Sequence, residues 1–249
     1  MTRVPCLQFT GIAVAALFGG SFDQISPASA QTFGSSYTST APKDCHVTSA
    51  GTKVDDSTIR TCPGKAGLVV LISEDDLRET VSVGRNRATA AKEPAARVWF
   101  GPFNSTEHTV EWRTMNGRPF AIIQRWHIAD ISDEDKNGRP IAKPMLAVTR
   151  LPHGVCHVAY VDAQANPNPN ELARKAADEL ARDFKCGKDE VKVIGETGQA
   201  VSLAKRWLSM TPAAALRPHA SSLPATGRRW CLRAADAGCP SAVRRAAAW

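Results

Sequence analysis

The chain has 249 residues, with 31 Lys and Arg against 24 Asp and Glu, a formal charge of +7. Six arginines and one aspartate within Pro212–Trp249 hold most of that surplus, whereas residues 31–211 carry 24 basic and 22 acidic side chains, a near balance that leaves nucleic-acid binding without electrostatic support. The span from Lys43 to Met210, about 170 residues, is enough for one domain with a substantial core, and no segment beyond the N-terminus is apolar for long enough to make a membrane helix.

Met1–Ala30 reads as a secretory signal peptide: Arg3 near the start, an apolar run from Ile12 to Phe18, and a small-residue Ala28-Ser29-Ala30 site before Gln31, which places cleavage between Ala30 and Gln31. Export to the periplasm or the medium implies an oxidising compartment. Cys6 leaves with the signal, and six cysteines remain, Cys45, Cys62, Cys156, Cys186, Cys231 and Cys239.

Gln31–Pro42, rich in Ser and Thr, is expected to be a flexible leader. Cys45–Cys62 holds two short extended pieces, a hairpin that a local disulfide would staple, and Pro63-Gly64 marks a turn. Leu68–Ile72 is a continuous apolar run suited to a buried strand, and Leu77–Val83 alternates. Asn86–Glu93 is a candidate short helix capped by Asn86 and disturbed at Pro94, followed by the aromatic turn Trp99–Phe103. Thr109–Met115 and Pro119–Asp130 flank Asn116-Gly117, a dipeptide favoured in tight hairpin turns. A polar loop, Ser132–Lys143, leads to a strand at Pro144–Leu151.

Residues 155–162 alternate, which puts Cys156, Val158 and Tyr160 on one face and Val155, His157, Ala159 and Val161 on the other. Asn168, Pro169 and Glu171 then start a helix in which Leu172, Ala176, Leu180 and Phe184 recur every fourth residue, ending near Cys186 and Gly187. A strand of about 20 Å and a helix of about 26 Å running back along it return Cys186 to Cys156, so these two are expected to be bridged. Val191–Ile194 is a candidate last strand and Gln199–Met210 a second helix. The fold class is therefore α+β: one antiparallel meander of about six to seven strands with a long amphipathic helix (168–186) packed on it, forming a single domain over 43–211.

After Thr211 the character changes. Residues 212–249 have no lysine, abundant Ala, Arg and Pro, and no sustained period, and they read as a basic, disordered tail. The same composition fits a GC-rich gene read in the wrong frame, or a basic anchor for anionic surfaces. Cys231 and Cys239 have no assignable partners.

Asp133, Asp135 and Asn137, followed by Gly138, match the first half of a calcium loop, where alternate carboxylates supply hard oxygens. Pro144 stands where such a loop needs its bidentate Glu, so a solvated hairpin loop is the plainer reading. His127 or His157 with a carboxylate such as Asp130 would offer acid–base chemistry. No HExxH occurs, no nucleophile elbow stands out, and Gly64-Lys65-Ala66-Gly67 lacks the spacing of a phosphate loop. Trp99, Phe100, Phe103, Trp112 and Trp126 suit a core better than a ligand groove. No catalytic residue and no cofactor is assigned.

With CPGKAGLVVLISEDDLRETVSVGR, KPMLAVTRL and CHVAYVDAQANPNPNELARKAADELARDFKC, the chain resembles uncharacterised exported proteins of proteobacteria over roughly residues 43–195. The resemblance implies a periplasmic or secreted location and nothing about activity, and the Arg-rich tail is foreign to it. The expected role is non-catalytic, binding an envelope protein or a small ligand, with no nucleic acid as partner. The alternatives are an envelope hydrolase using His127 or His157, and a calcium-stabilised module.

Overall fold

Asn116 and Gly117 adopt positive φ (50° and 77°), the geometry that a two-residue turn between twisted strands requires, and they join the two longest neighbours of the fold. The structure, a computed structural model, describes residues 31–49, 57–151 and 154–210. The strands are β1 (Phe33–Ser39), β2 (His46–Ser49), β3 (Thr58–Pro63), β4 (Val69–Asp75), β5 (Arg78–Gly84), β6 (Asn104–Met115), β7 (Arg118–Glu134), β8 (Pro140–Arg150), β9 (His157–Asp162) and β10 (Lys192–Val193). The helices are α1 (Arg87–Ala90), α2 (Pro169–Leu180) and α3 (Gln199–Met210), with 3-10 turns at Pro42–Asp44 and Pro94–Arg97. The predicted signal segment with Ala30, the tail 212–249 and Cys231 and Cys239 lie outside the described residues; Gln31 is the first residue within them.

The strands form two sheets rather than the single one expected, ordered β1-β6-β7-β8-β9-β10 and β2-β3-β4-β5. The predicted meander is present as β6 through β9, antiparallel throughout. Three features depart from expectation. The supposed leader supplies β1, which pairs with β6 over its whole length from Phe33↔Met115 to Ser39↔Thr109. The polar loop shrinks to a tight turn because β7 runs to Glu134 and β8 begins at Pro140. β10 lies parallel to β9, with α2 as the crossover between them.

Both faces of the large sheet are covered, giving three layers. On one face, Val110, Trp112, Ile122, Trp126, Ile128 and Met145 pack against Val70, Ile72, Val81 and Val83 of the small sheet and against Ala200, Val201 and Leu203 of α3. On the other, Ala121, Ile123, Leu146, Val148, Val158 and Val161 meet Ala173, Ala176, Ala177 and Ala181 of α2 and the turn after it. All six residues of β9 are buried, as a strand sandwiched on both faces must be.

α2 ends at Leu180, six residues short of the predicted 186. The coil continues only as far as a Phe184 N–H to Leu180 C=O bond (3.1 Å), and the Phe184 carbonyl is then taken by the Arg150 guanidinium. This leads the chain back to the sheet, where Cys186 bridges Cys156. The second bridge, Cys45–Cys62, ties the start of β2 to β3. Glu79 of the small sheet links the two sheets: one of its oxygens accepts from Arg60 of the same sheet (2.5 Å), and the other accepts from the N–H and hydroxyl of Thr106 in β6 (2.6 and 2.7 Å). α1 has the expected Asn86 cap, with Thr89 N–H donating to Asn86 Oδ1 at 2.9 Å. Among the described residues no helix is long and apolar enough to cross a membrane.

Candidate ligand groove

The residues singled out from the sequence are placed apart. His157 is buried between the sheets, its ring stacked on Phe100 (centroids 5.6 Å apart) and its Nδ1 bonded to the Tyr160 hydroxyl at 2.9 Å. Strict alternation puts His157 and Tyr160 on opposite faces; the β8–β9 register skips Val158, and this bulge turns both into the same layer. Burial pushes the imidazole pKa down from 6.5 to about 4 and raises that of the Tyr160 phenol. His127 lies on the opposite face of the sheet, part-exposed, with Nε2 3.1 Å from Glu107 Oε2. Ser105 is its cross-strand partner. Asp130 is held below the ordinary carboxylate range, chiefly by the Ser132 hydroxyl at 2.6 Å, against the opposing effect of burial; it also accepts from Gln199 at 3.0 Å and touches neither histidine. Phe100, Trp112 and Trp126 belong to the core, as expected.

The calcium-loop residues are engaged by the protein's own cations. Asp133 accepts from Lys143 Nζ. Asp135 accepts the N–H groups of Arg139 (3.0 Å) and Asn137 (2.8 Å), bonds which hold its carboxyl below the usual range, and it pairs with the Arg139 side chain at 3.2 Å. Asn137 thus contributes its backbone to a tight turn. Among the described residues, no group of three or more His, Cys, Asp or Glu side chains is placed to hold a metal.

Convergent polar groups do occur where α2 begins above the large sheet. Ser35 of β1, Glu111 and Arg113 of β6, and Arg174 and Asp178 of α2 form one network. Arg113 grips Asp178 with two bonds (3.0 and 2.6 Å) and donates a third to Ser35 Oγ (2.5 Å). Ser35 in turn donates to Glu111 at 2.5 Å. Arg174 binds both oxygens of Glu111 (2.6 and 3.1 Å) and donates to the Tyr37 hydroxyl (3.2 Å). The hydrogen bond to Glu111 raises the pKa of the Arg174 guanidinium above its ordinary value.

Beside this network lies a groove of about 160 Å³, lined by Tyr37, Glu107, Thr109, Glu111, Ile123, Arg125, Leu146, Asn170 and Arg174. Ile123 and Leu146 give it an apolar patch and the rest is polar. Arg125 is half-buried in it, and its one bond is from Nη2 to Asn170 Oδ1 at 3.2 Å; among the described residues it has no carboxylate partner. Asn170 sits in the first turn of α2, where Asn168 makes no side-chain cap and Pro169 has no N–H. The leading N–H groups of such a helix lack intrahelical acceptors and favour negative charge. An unpaired guanidinium and an uncapped helix start therefore share one rim. Sequence reasoning missed this site because its side chains come from β1, β6, β7, β8 and α2; the local signal was an arginine at position 125 within a mostly apolar strand. No protein-family model, no curated protein and no solved structure matches the chain.

Proposed function

We propose that this chain is an exported, disulfide-stabilised domain of the cell envelope, periplasmic or secreted, that binds a small polar ligand through its acidic head and catalyses nothing itself. The observation that carries the reading is Arg125: a half-buried guanidinium in a groove, without a carboxylate partner among the described residues and next to the uncapped start of α2. A carboxylate-sized anion there would accept from the free guanidinium N–H groups while the rest of the molecule covers Ile123 and Leu146. A volume of about 160 Å³ suits a molecule of roughly one ring or a short acid. The two disulfides fit an oxidising compartment. The test is a thermal-shift and calorimetric panel of short-chain carboxylates, phosphate esters and neutral sugars against the oxidised protein. Acids should raise the melting temperature and Arg125→Gln should weaken their binding at least tenfold; binding of none of them, or binding indifferent to that substitution, would refute the proposal.

A further inference from the structure

Among the described residues, hydrogen bonding along β1 leaves one side of the strand open. Asn116 N–H donates to the Thr32 carbonyl (2.9 Å) and Thr40 N–H to the His108 carbonyl (2.7 Å). The register between these points is unbroken. In an antiparallel ladder such exchanges recur at every second residue. The even positions Gly34, Ser36 and Thr38 therefore turn their main-chain groups to β6, whereas Phe33, Ser35, Tyr37 and Ser39 turn theirs outward. Ser35, Tyr37 and Ser39 are the exposed residues of the strand, and Tyr37 keeps 51 % of its surface.

Edges of this kind are ordinarily guarded by a charge, a proline, a bulge or brevity. The opposite edge of the same sheet, β10, is two residues long. β1 has seven residues, FGSSYTS, with no charge, no proline and no break in register. Its rim is also compatible with itself. Turned about a twofold axis at Ser36, the strand lays Ser35 opposite Tyr37 of a second copy and Phe33 opposite Ser39, and all four are outward-facing residues. Each such pair exchanges two N–H···O bonds, about eight in all, and no like charges meet because the strand has none. A neutral rim offers little to select a foreign charged peptide, whereas a second copy needs nothing further. We propose that two copies of this chain pair antiparallel through β1, about Ser36, into one sheet continuous across both.

This inference does not rest on ligand binding, although Tyr37 lines both the groove and the open edge, so the amide-exchange test, which needs no substitution, is the deciding one. Sedimentation velocity of the oxidised full chain from about 1 to 200 μM should show a concentration-dependent dimer, the range expected when few side chains are buried. Amide exchange read residue by residue gives the specific test without any substitution. The amides of Phe33, Ser35, Tyr37 and Ser39 should exchange fast when dilute and become protected at high concentration, while those of Gly34, Ser36 and Thr38 stay protected throughout. Tyr37→Lys, which brings two like charges close to the axis, should weaken association at least tenfold. A monomer across the whole range overturns the proposal. So does a dimer in which the four outward amides remain unprotected, or protection that arises only with an added extended peptide.

Discussion

Acidification tests the aromatic layer between the two sheets. His157 is 4 % exposed, is stacked on Phe100, and has an Nε2 without a partner among the described residues. With the folded-state pKa pushed down from 6.5 to about 4, the fold favours the neutral ring and the unfolded chain takes the proton first. Stability is therefore whole above pH 6.5, declines as pH falls below it, and levels off once pH passes about 4. The full difference corresponds to roughly 3 kcal/mol, with about 2 kcal/mol already lost at a pH of about 5. Carboxylates titrate in the lower part of this window, so the quantity to measure is the difference between the wild type and His157→Phe or His157→Gln. Phenylalanine leaves the Tyr160 hydroxyl without its partner and costs stability at every pH, but it cannot take up a proton. In urea unfolding at about pH 7.5 and about pH 5, the wild type should lose roughly 2 kcal/mol more than either variant. Equal losses would refute the reasoning, and so would an NMR titration placing the His157 pKa at or above 6.5.

Two further outcomes follow from the covalent and backbone geometry. Replacing Cys156 and Cys186 together by Ser should lower stability by about 3–4 kcal/mol, the loop-entropy value for a closure of 30 residues, while alkylation without reductant should leave all four bridged cysteines of the native protein unmodified; labelled thiols would deny the bridges. Asp76 and Leu77 form the β4–β5 turn with φ of 49° and 60°, and Leu77 is 62 % exposed, so Leu77→Gly should relieve left-handed strain and raise stability by about 0.5–1 kcal/mol; a fall in melting temperature would show that the leucine packs usefully where it stands.

What the sequence made legible was local. Asn116-Gly117 announced its hairpin, Asn86 its cap, and the four-residue recurrence from Leu172 the helix that covers the sheet. Both disulfides were readable because each closes a short loop between neighbouring elements. The assignment of strands to sheets was not readable, because it depends on which apolar face meets which. Val70 and Ile72 look the same in sequence whether they extend the meander or cover it, and in the fold they cover it. β1 was hidden for a related reason: FGSSYTS has little apolar content of its own, and its order comes from pairing with β6 and from side-chain bonds at Ser35, Tyr37 and Thr38. One skipped residue at Val158 was enough to reverse the expected facing of His157, since a shift of one exchanges the two sides of a strand.

The layering also accounts for where the groove lies. A sheet covered on one face by a second sheet and on the other by a helix has little freedom to flex, and α2 covers only part of its face: it packs on apolar Ala121, Ile123, Leu146 and Val148, while β6 presents Glu111 and Arg113 beside it. Those two residues cannot be buried without partners, and Arg174 and Asp178 of the helix supply them. The cross-bonds anchor the middle and last turn of α2 over β6, and Asn170 in its first turn reaches Arg125 of β7. In β6 the break in register between Thr106 and Val110 carries Glu107 and Thr109 out of regular pairing with β7, beside the start of the helix. A hollow therefore persists where helix, bulge and sheet meet, and its arginine is held by Asn170 at the start of the helix. Removing Asp178 should accordingly loosen the groove before it unfolds the domain, whereas removing Glu79, buried between the sheets, should do the reverse.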